Sequence, residues 1–123
     1  MGFSSCFKSI LMGNIVLFVR DFQKGAELSE RLSSINLNFS FGESIYDLPD
    51  KCFLAIIDLD DEKFNNLDFV LELKTKANIK LICYKSLIQK KSHDAIKNAG
   101  CDILVTKASI VMNIQILVKN LLK

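Results

Sequence analysis

The strongest fold signal in this chain is the apolar run Cys52-Phe-Leu-Ala-Ile-Ile-Asp58. Six apolar residues in a row are typical of a strand buried on both faces, as the strands of parallel sheets are. The run ends in the carboxylate of Asp58, and Asp60, Asp61 and Glu62 follow it closely. Open α/β sheets place their chemistry at the carboxyl ends of their strands. Asp58 is therefore the first candidate for a functional residue.

Working outward from this run, apolar segments alternate with segments of helical periodicity. Strands are predicted over residues 15–19, 37–41, 52–57, 79–84 and 103–105. Five strands alternating with helices predict an α/β fold with a doubly wound, five-stranded parallel sheet in three α/β/α layers. The flavodoxin-like strand order 2-1-3-4-5 is one of the two common orders for such a sheet, and it is the order we predict.

Helix signals lie between these strands. Asp21 is a favoured N-cap for a first helix, and a later helix is predicted from about Leu67. Another is predicted from about Leu87 to Ala99, with Gly100 just past its end, and the last from Ser109 to Leu122. Residues 42–49 leave room only for a short turn or a degenerate helix.

Length and composition restrict the class of protein. The chain has 123 residues, half of them apolar and about a quarter charged, which suits one globular domain. A net charge of +2 gives no reason to expect nucleic acid as a partner, and no apolar run approaches the ~20 residues of a membrane span. The four cysteines form no C-x-x-C pair, so we predict reduced thiols in a cytoplasmic protein and no zinc.

The first residues have a different character from the rest. Met12 directly precedes the first strand and would be a natural start. We therefore divide the chain into an N-terminal extension, residues 1–11, which we expect to be disordered or an upstream start, and one domain, residues 12–123.

Polar residues recur at three strand ends with a characteristic spacing. Asp21 follows the first strand, Asp58 ends the third, and Lys107 follows the fifth, seven residues after Gly100 in Ala99-Gly100-Cys101-Asp102. In these features residues 14 to about 122 resemble the receiver domain of bacterial two-component response regulators. The resemblance implies that Asp58 stands at the position of the aspartate that accepts a phosphoryl group from a histidine kinase. It also implies that Asp21 is one of the acids that hold Mg²⁺, and that Lys107 is the family's lysine.

The departures from the family pattern are equally informative. Arg20 occupies the position of the first acid, and Lys85 that of the switch Ser or Thr, with Ser86 one residue further on. Ala108 replaces the usual proline, and Leu104 replaces the aromatic switch residue.

These substitutions add cations to the acidic site. If Arg20, Lys85 and Lys107 all point inward, they neutralise Asp58 directly, and Arg20 displaces the metal. We therefore expect Asp58 to pair with Lys107, and with Arg20 or Lys85 as well, and we expect no cofactor.

Three alternatives stay open. Asp60, with Asp61, could replace the lost acid, so that Mg²⁺ binds at Asp21 and Asp58. The side chains of Arg20 and Lys85 could instead turn outward, and Ser86 could be a helix cap.

The last predicted helix is more apolar than a helix covering a sheet needs to be. One stripe is formed by Ile110, Ile114, Leu117 and Leu121. A neighbouring stripe is formed by Val111, Val118 and Leu122, and Ile116 falls outside both. We predict an interaction face made of Leu104, Val111, Val118 and Leu122 that binds a protein, with a second copy of the chain as one candidate.

Taken together, the residues predict an atypical, stand-alone receiver-like domain that acts in intracellular signal transduction through protein contacts and is not an enzyme. Its partner would be a signalling protein or a histidine kinase. The alternative is a working phosphoacceptor in a phosphorelay, with Asp58 as the phosphorylation site. A flavodoxin-like binder of a small ligand is a weaker third interpretation, because the sequence contains neither G-x-G-x-x-G nor a P-loop.

Overall fold

The computed structural model of the chain describes residues 14–122. Its strands are β1 (Asn14–Phe18), β2 (Asn38–Phe41), β3 (Cys52–Asp58), β4 (Lys80–Lys85) and β5 (Ile103–Thr106). Its helices are α1 (Phe22–Ser33), α2 (Leu67–Glu72), α3 (Lys90–Asn98) and α4 (Lys107–Leu121). A single 3₁₀ turn, Ile45–Asp47, follows β2, and a π-helical turn, Leu73–Ala77, continues α2. The predicted extension, residues 1–11, lies outside the described residues.

The five strands form one parallel sheet in the order β2-β1-β3-β4-β5, which confirms the predicted flavodoxin-like topology. Because all strands run the same way, their carboxyl ends lie along one edge. There β3 and β4 remain in register to the end of β3, with Asp58 opposite Tyr84.

Each face of the sheet carries its own apolar core, which explains the continuous apolar runs in the sequence. On one face α1 and α4 bury residues such as Leu28 and Ile114 against the sheet. On the other face Phe64, Val70 and Ile96 pack against the alternate strand residues. Helices therefore cover both sides of the sheet, and the carboxyl edge is left open between them.

The connection between β2 and β3 is as short as its sequence predicts. Its only helical element within the described chain is the 3₁₀ turn Ile45–Asp47, whose first amides are capped by Ser44. Only this short turn follows β2, and the last residue of the strand, Phe41, is half-exposed.

Two helix boundaries differ from the prediction. α4 begins at Lys107 and not at Ser109, so β5 passes into the helix without a loop. α3 begins at Lys90 with Gln89 as its N-cap. The alternative of Ser86 as a helix cap is therefore wrong: the N-cap position belongs to Gln89, three residues later, and Ser86 binds Asp60 instead.

The turn before β5 shows why the Ala-Gly-Cys-Asp stretch has this composition. Gly100 has a φ of +123°, and a Cβ added there would lie 2.6 Å from Cγ of Lys74. The Lys74 amine in turn lies 2.8 Å from the carboxylate of Asp102, which also accepts the Leu81 amide at 2.8 Å. This turn thereby ties β5 to β4 and to the turn after α2.

Within the described part of the chain, none of the helices combines the length and the apolar character that crossing a membrane requires.

Candidate functional site

An open pocket of about 460 Å³ lies at the carboxyl edge of the sheet. It forms where the end of β1, the end of β3 and the start of α4 converge. Its lining side chains are four carboxylates and two cations: Asp21, Asp58, Asp60, Asp61, Arg20 and Lys107. The structure thus brings together the three residues expected to meet, Asp21, Asp58 and Lys107, and adds the acidic loop after β3.

Asp58 forms the floor of this pocket and is only 3% exposed. Its Oδ1 accepts a hydrogen bond from the Asp60 amide at 2.9 Å. Burial raises the pKa of Asp58 above its usual value, although the Asp60 amide and the charge of Lys107 oppose the rise. No cationic side chain of the described residues lies within 4 Å of its carboxylate. The expected ion pair of Asp58 with Lys107, and with Arg20 or Lys85, is therefore wrong.

Lys107, the lysine that was expected to pair with Asp58, pairs with Asp21 instead. Asp21 is the N-cap of α1, and its Oδ1 accepts the Lys24 amide at 3.0 Å. Its Oδ2 lies 3.3 Å from the amine of Lys107, which the early start of α4 places beside β1. The Lys24 amide and then Lys107 hold the pKa of Asp21 below its usual value, and the same contact raises the pKa of Lys107. Both oxygens of Asp21 are thereby occupied.

Arg20 turns toward the rim of the pocket and not toward Asp58. Its guanidinium binds Asp61 in a bidentate pair, with both nitrogen–oxygen distances at 2.8 Å, and its side chain is 46% exposed. Asp61 also accepts the Lys63 amide at 2.9 Å, which closes the loop after β3. Arg20 holds the pKa of Asp61 low. Its partner could have been suspected from the sequence only if the fold of this loop had been known.

Asp60 faces the loop that follows β4. Its carboxylate accepts the Ser86 amide at 3.0 and 3.1 Å and also accepts the Ser86 hydroxyl. Burial acts to raise the pKa of Asp60, but the two Ser86 donors outweigh it and lower the pKa. Lys85 is half-buried at the end of β4 and, on the described chain, is not among the residues that line the pocket. The sequence did not indicate a contact between Asp60 and Ser86.

Tyr84 is a residue to which sequence reasoning assigned no chemistry. It is completely buried directly opposite Asp58, and its hydroxyl has no hydrogen-bond partner among the described residues. Burial and the neighbouring carboxylates, Asp58 first, raise the pKa of Tyr84 far above its usual value. The signal that could have revealed it is the parallel register, which sets the last residues of β3 and β4 side by side.

The fit of Mg²⁺, the ion that the receiver resemblance implies, can be judged from these contacts. Mg²⁺ requires near-octahedral oxygen ligands and usually one or two carboxylates with several waters. Within residues 14–122, no three His, Cys, Asp or Glu side chains are grouped so that they could hold a metal ion. Asp21, Asp60 and Asp61 already bind donors of the protein itself, and the side chains of this pocket therefore do not fit the ion as they stand.

The predicted interaction face needs one correction. Val118 is completely buried in the core that α4 forms with the sheet, so its assignment to an exposed face is wrong. Val111 and Leu104 are half-buried against the two cores, and Leu122 is partly exposed. The prominent apolar side chains of α4 lie one turn apart and are Met112, 71% exposed, and Ile116, 61% exposed.

Comparison with known proteins places this site in a familiar fold. No protein-family model and no curated protein matches the sequence. A two-component response regulator from Clostridium difficile superposes with a TM-score of 0.78 at 13% identity, over 89% of this chain and 94% of that chain. A CheY-like receiver domain protein from Methanospirillum hungatei JF-1 gives 0.76 at 13% identity, over 89% and 92%. The BeF₃-activated DrrB receiver domain gives 0.77 at 19% identity, over 90% and 97%. The fold of the chain is the receiver fold, as the resemblance in sequence implied.

Proposed function

We propose that this chain is an atypical receiver domain that works in signal transduction by binding a protein partner, without efficient Mg²⁺-dependent phosphorylation of Asp58. It acts in the cytoplasm and is not an enzyme. Its fold is that of receiver domains, and the three cysteines of the described residues are unpaired, which suits a reducing compartment.

The observation that carries this proposal is the occupation of the outer carboxylates. Phosphoryl transfer to an aspartate joins two anions, so it depends on a divalent cation and on positive groups aimed at the transferred phosphoryl group. Here Arg20 holds Asp61, Lys107 holds Asp21, and Ser86 holds Asp60. A metal ion would have to break several of these contacts before it found enough oxygen ligands.

The alternative function, a working phosphoacceptor, is supported by the position of Asp58. Its carboxylate lies at the floor of an open pocket, and the charge of Lys107 acts on it. An Asp61 released from Arg20 would give this pocket a further ligand. The alternative therefore differs from our proposal in one measurable property, the gain of a phosphoryl group.

The experiment is an intact-mass measurement after incubation with a small phosphodonor and Mg²⁺, with Asp58→Asn as the matched control. We expect the parent mass to remain unchanged. A gain of one phosphoryl group by the parent, which is absent from Asp58→Asn, would establish the alternative. A known receiver treated in parallel verifies that the phosphodonor is active.

The third interpretation, a flavodoxin-like binder of a small ligand, is disfavoured by charge. Four carboxylates against two cations line the pocket, so a nucleotide or flavin phosphate would meet a net negative surface. We therefore assign no cofactor to the protein.

We propose a second copy of the chain as the partner that binds α4. Met112 and Ile116 form an exposed apolar row, Leu122 just past the helix is partly exposed, and Val111 is half-buried. A stable dimer buries on the order of 1,200 Å² or more in total.

Light scattering over a concentration series should show dimers that Met112→Lys and Ile116→Lys abolish. Phe22→Lys, which changes an apolar side chain exposed elsewhere, is the matched control. If the parent protein stays monomeric over the concentration series, the proposal that a second copy binds α4 is wrong.

A further inference from the structure

We propose that residues 3–11, which precede the described part of the chain, dock as an amphipathic helix into an apolar groove between α1 and β2 of the same molecule. The groove opens beside the acidic pocket, because Arg20 and Asp21 line both. The docked segment therefore shields the α1 side of that pocket. The inference goes beyond the proposed function and does not rest on it, since it requires neither a partner protein nor a second copy of the chain.

The groove is a cavity of about 360 Å³ at the edge of the sheet. β2 is the edge strand, and within the described chain it pairs only with β1. A Cβ added at Gly25 would lie 3.1 Å from Cε1 of Phe41, so the glycine lets α1 approach the aromatic ring closely. The side chains and backbone of α1 that line the groove recur at helical spacing and are Phe22, Gly25, Ala26 and Ser29.

Two phenylalanine rings are left in solvent along this groove. Phe22 is 91% exposed and Phe41 is 52% exposed. A single exposed apolar side chain is ordinary on a protein surface, but two aromatic rings that line one groove form an apolar patch, and such patches mark interaction sites. An occupant with apolar side chains would remove both rings from water.

The sequence before β1 has the pattern that such a groove accepts. Its apolar residues recur at positions i, i+3, i+4, i+7 and i+8, which form one face of a helix. They are Phe3, Cys6, Phe7, Ile10 and Leu11, and the residues between them are three serines and Lys8. Helices that bind in apolar grooves use anchors with this spacing. An isolated helix of this length is marginal in water, so packing on the domain has to stabilise it.

The point at which the segment joins the domain puts it within reach of the groove. β1 begins at Asn14 and is the direct neighbour of β2. The groove reaches Val19, five residues further along, which is roughly 17 Å in a strand. A helix over residues 3–11 is about 13 Å long, and the two linking residues add about 7 Å, so the segment spans this distance. A tether this short gives an effective concentration in the millimolar range, so weak packing is enough for docking.

The segment carries its own probe for a test, because Cys6 belongs to its apolar face. In the full chain, Ala26→Cys places a second thiol on the exposed wall of the groove. Diamide, an azo oxidant, accepts the two thiol hydrogens and the two sulfurs join, which intact mass and peptide mapping detect. We expect an intramolecular disulfide between Cys6 and the new thiol at least about ten-fold faster than in the control. The control is Asn98→Cys, an exposed position at the end of α3, whose buried Ile96 packs on the other face of the sheet.

Phe7→Ser in the Ala26→Cys background removes one apolar anchor and should return the rate to that of Asn98→Cys. Equal rates for Ala26→Cys and Asn98→Cys would overturn the proposal. A disulfide that joins two molecules would overturn it as well, because a second copy would then fill the groove. These outcomes are separate from the phosphodonor experiment and from light scattering of the α4 variants, so the inference can fail while the proposed function stands, and the reverse.

Discussion

The acidic pocket has a floor, Asp58, and a rim, formed by Asp21, Asp60 and Asp61. The carboxylates of the floor and the rim lie in different electrostatic environments. Asp58 on the floor is almost completely buried, has no cation within 4 Å among the described residues, and has a raised pKa. On the rim, Asp21, Asp60 and Asp61 are each bonded to donors from the protein, and their pKa values are lowered. Acids only a few residues apart in sequence thus respond to opposite environments.

The cations of this site form ion pairs with carboxylates of the rim and not with Asp58 on the floor. The sequence predicts that Arg20 and Lys107 neutralise the acid at the end of β3. In the structure each binds the nearest carboxylate on its own side of the pocket, Arg20 at Asp61 and Lys107 at Asp21. Asp58 itself is left without a cationic partner within 4 Å among the described residues.

Arg20→Asp should have the largest effect on this comparison. It releases Asp61 from its bidentate partner and adds a carboxylate beside Asp21. Because Mg²⁺ favours clustered carboxylate oxygens, we expect at least a ten-fold gain in Mg²⁺ affinity, to low-millimolar dissociation constants. The measurement is a titration followed by backbone NMR shifts around Asp58.

Arg20→Gln is the control for that titration, since it removes the cation and supplies no carboxylate. Equal Mg²⁺ affinity in the two variants would show that charge relief alone, and not the added ligand, determines binding. Saturation of the parent itself at low-millimolar Mg²⁺ would contradict the claim that the protein's own contacts to the rim carboxylates keep Mg²⁺ from binding.

Asp21→Ala should have the largest effect on stability. The substitution removes both the N-cap of α1 and the contact with Lys107. Loss of an N-cap costs about 1–2 kcal/mol, so the free energy of unfolding by urea should fall by that amount. Asp21→Asn separates the two roles, because Asn caps helices as well as Asp does and carries no charge. If both variants are equally destabilised, the ion pair and not the cap is the important contact.

Asp58→Asn should stabilise the protein, whereas Asp21→Ala on the rim destabilises it. The amide keeps an oxygen to accept the Asp60 amide and removes the cost of a buried carboxylate. At pH 7 we expect a gain of about 1 kcal/mol, or a rise in Tm of roughly 3–6 °C.

The pH dependence of this gain has a defined sign. Because the pKa of Asp58 is raised in the folded state, the parent loses stability as the pH rises from the unfolded value, about 4, through the folded pKa. The difference between Asp58→Asn and the parent should therefore be full at neutral pH and vanish below about pH 4. A gain that persists at acid pH would point to packing and not to ionisation.

Asp61→Asn should have the smallest effect. The Arg20 side chain of this pair is 46% exposed, and ion pairs open to solvent contribute little to stability. The asparagine oxygen can still accept the Lys63 amide that closes the loop. Thermal melts at low and high salt should show no measurable change in Tm. A clear loss at low salt only would mean that the Arg20 pair matters more than its exposure suggests.

Most of the fold could be predicted because it depends on patterns that are local in the sequence. The apolar runs define the strands, and their alternation with helices leaves few topologies. Gly100 marked the end of α3 because only a residue without a side chain fits against Lys74 there. The early start of α4 and the late start of α3 could not be predicted, because neither N-cap, Thr106 or Gln89, makes a side-chain capping hydrogen bond.

The candidate site was predictable only as far as strand ends determine it. Asp21, Asp58 and Lys107 meet because parallel strands bring their ends to one edge. The partner that each cation takes depends on the loop after β3, whose turns are built by hydrogen bonds of Asp58, Asp60 and Asp61. Val118 was misplaced for a related reason: two adjacent stripes of α4 are equally apolar, and only packing against the sheet shows which is buried.

The buried phenol of Tyr84 gives this protein an optical reporter of its own. The chain has no tryptophan and two tyrosines, of which Tyr46 is exposed and Tyr84 is enclosed beside Asp58. Because Asp58 lies directly opposite it in the sheet, the ultraviolet absorbance of Tyr84 should shift when the charge at Asp58 changes. In an alkaline titration its phenolate band should appear only far above the usual pH unless the strand pair opens, because burial and the neighbouring carboxylates raise the pKa of Tyr84 far above its usual value. A single absorbance trace would thus record the state of the pocket floor and the integrity of the strand pair that surrounds it.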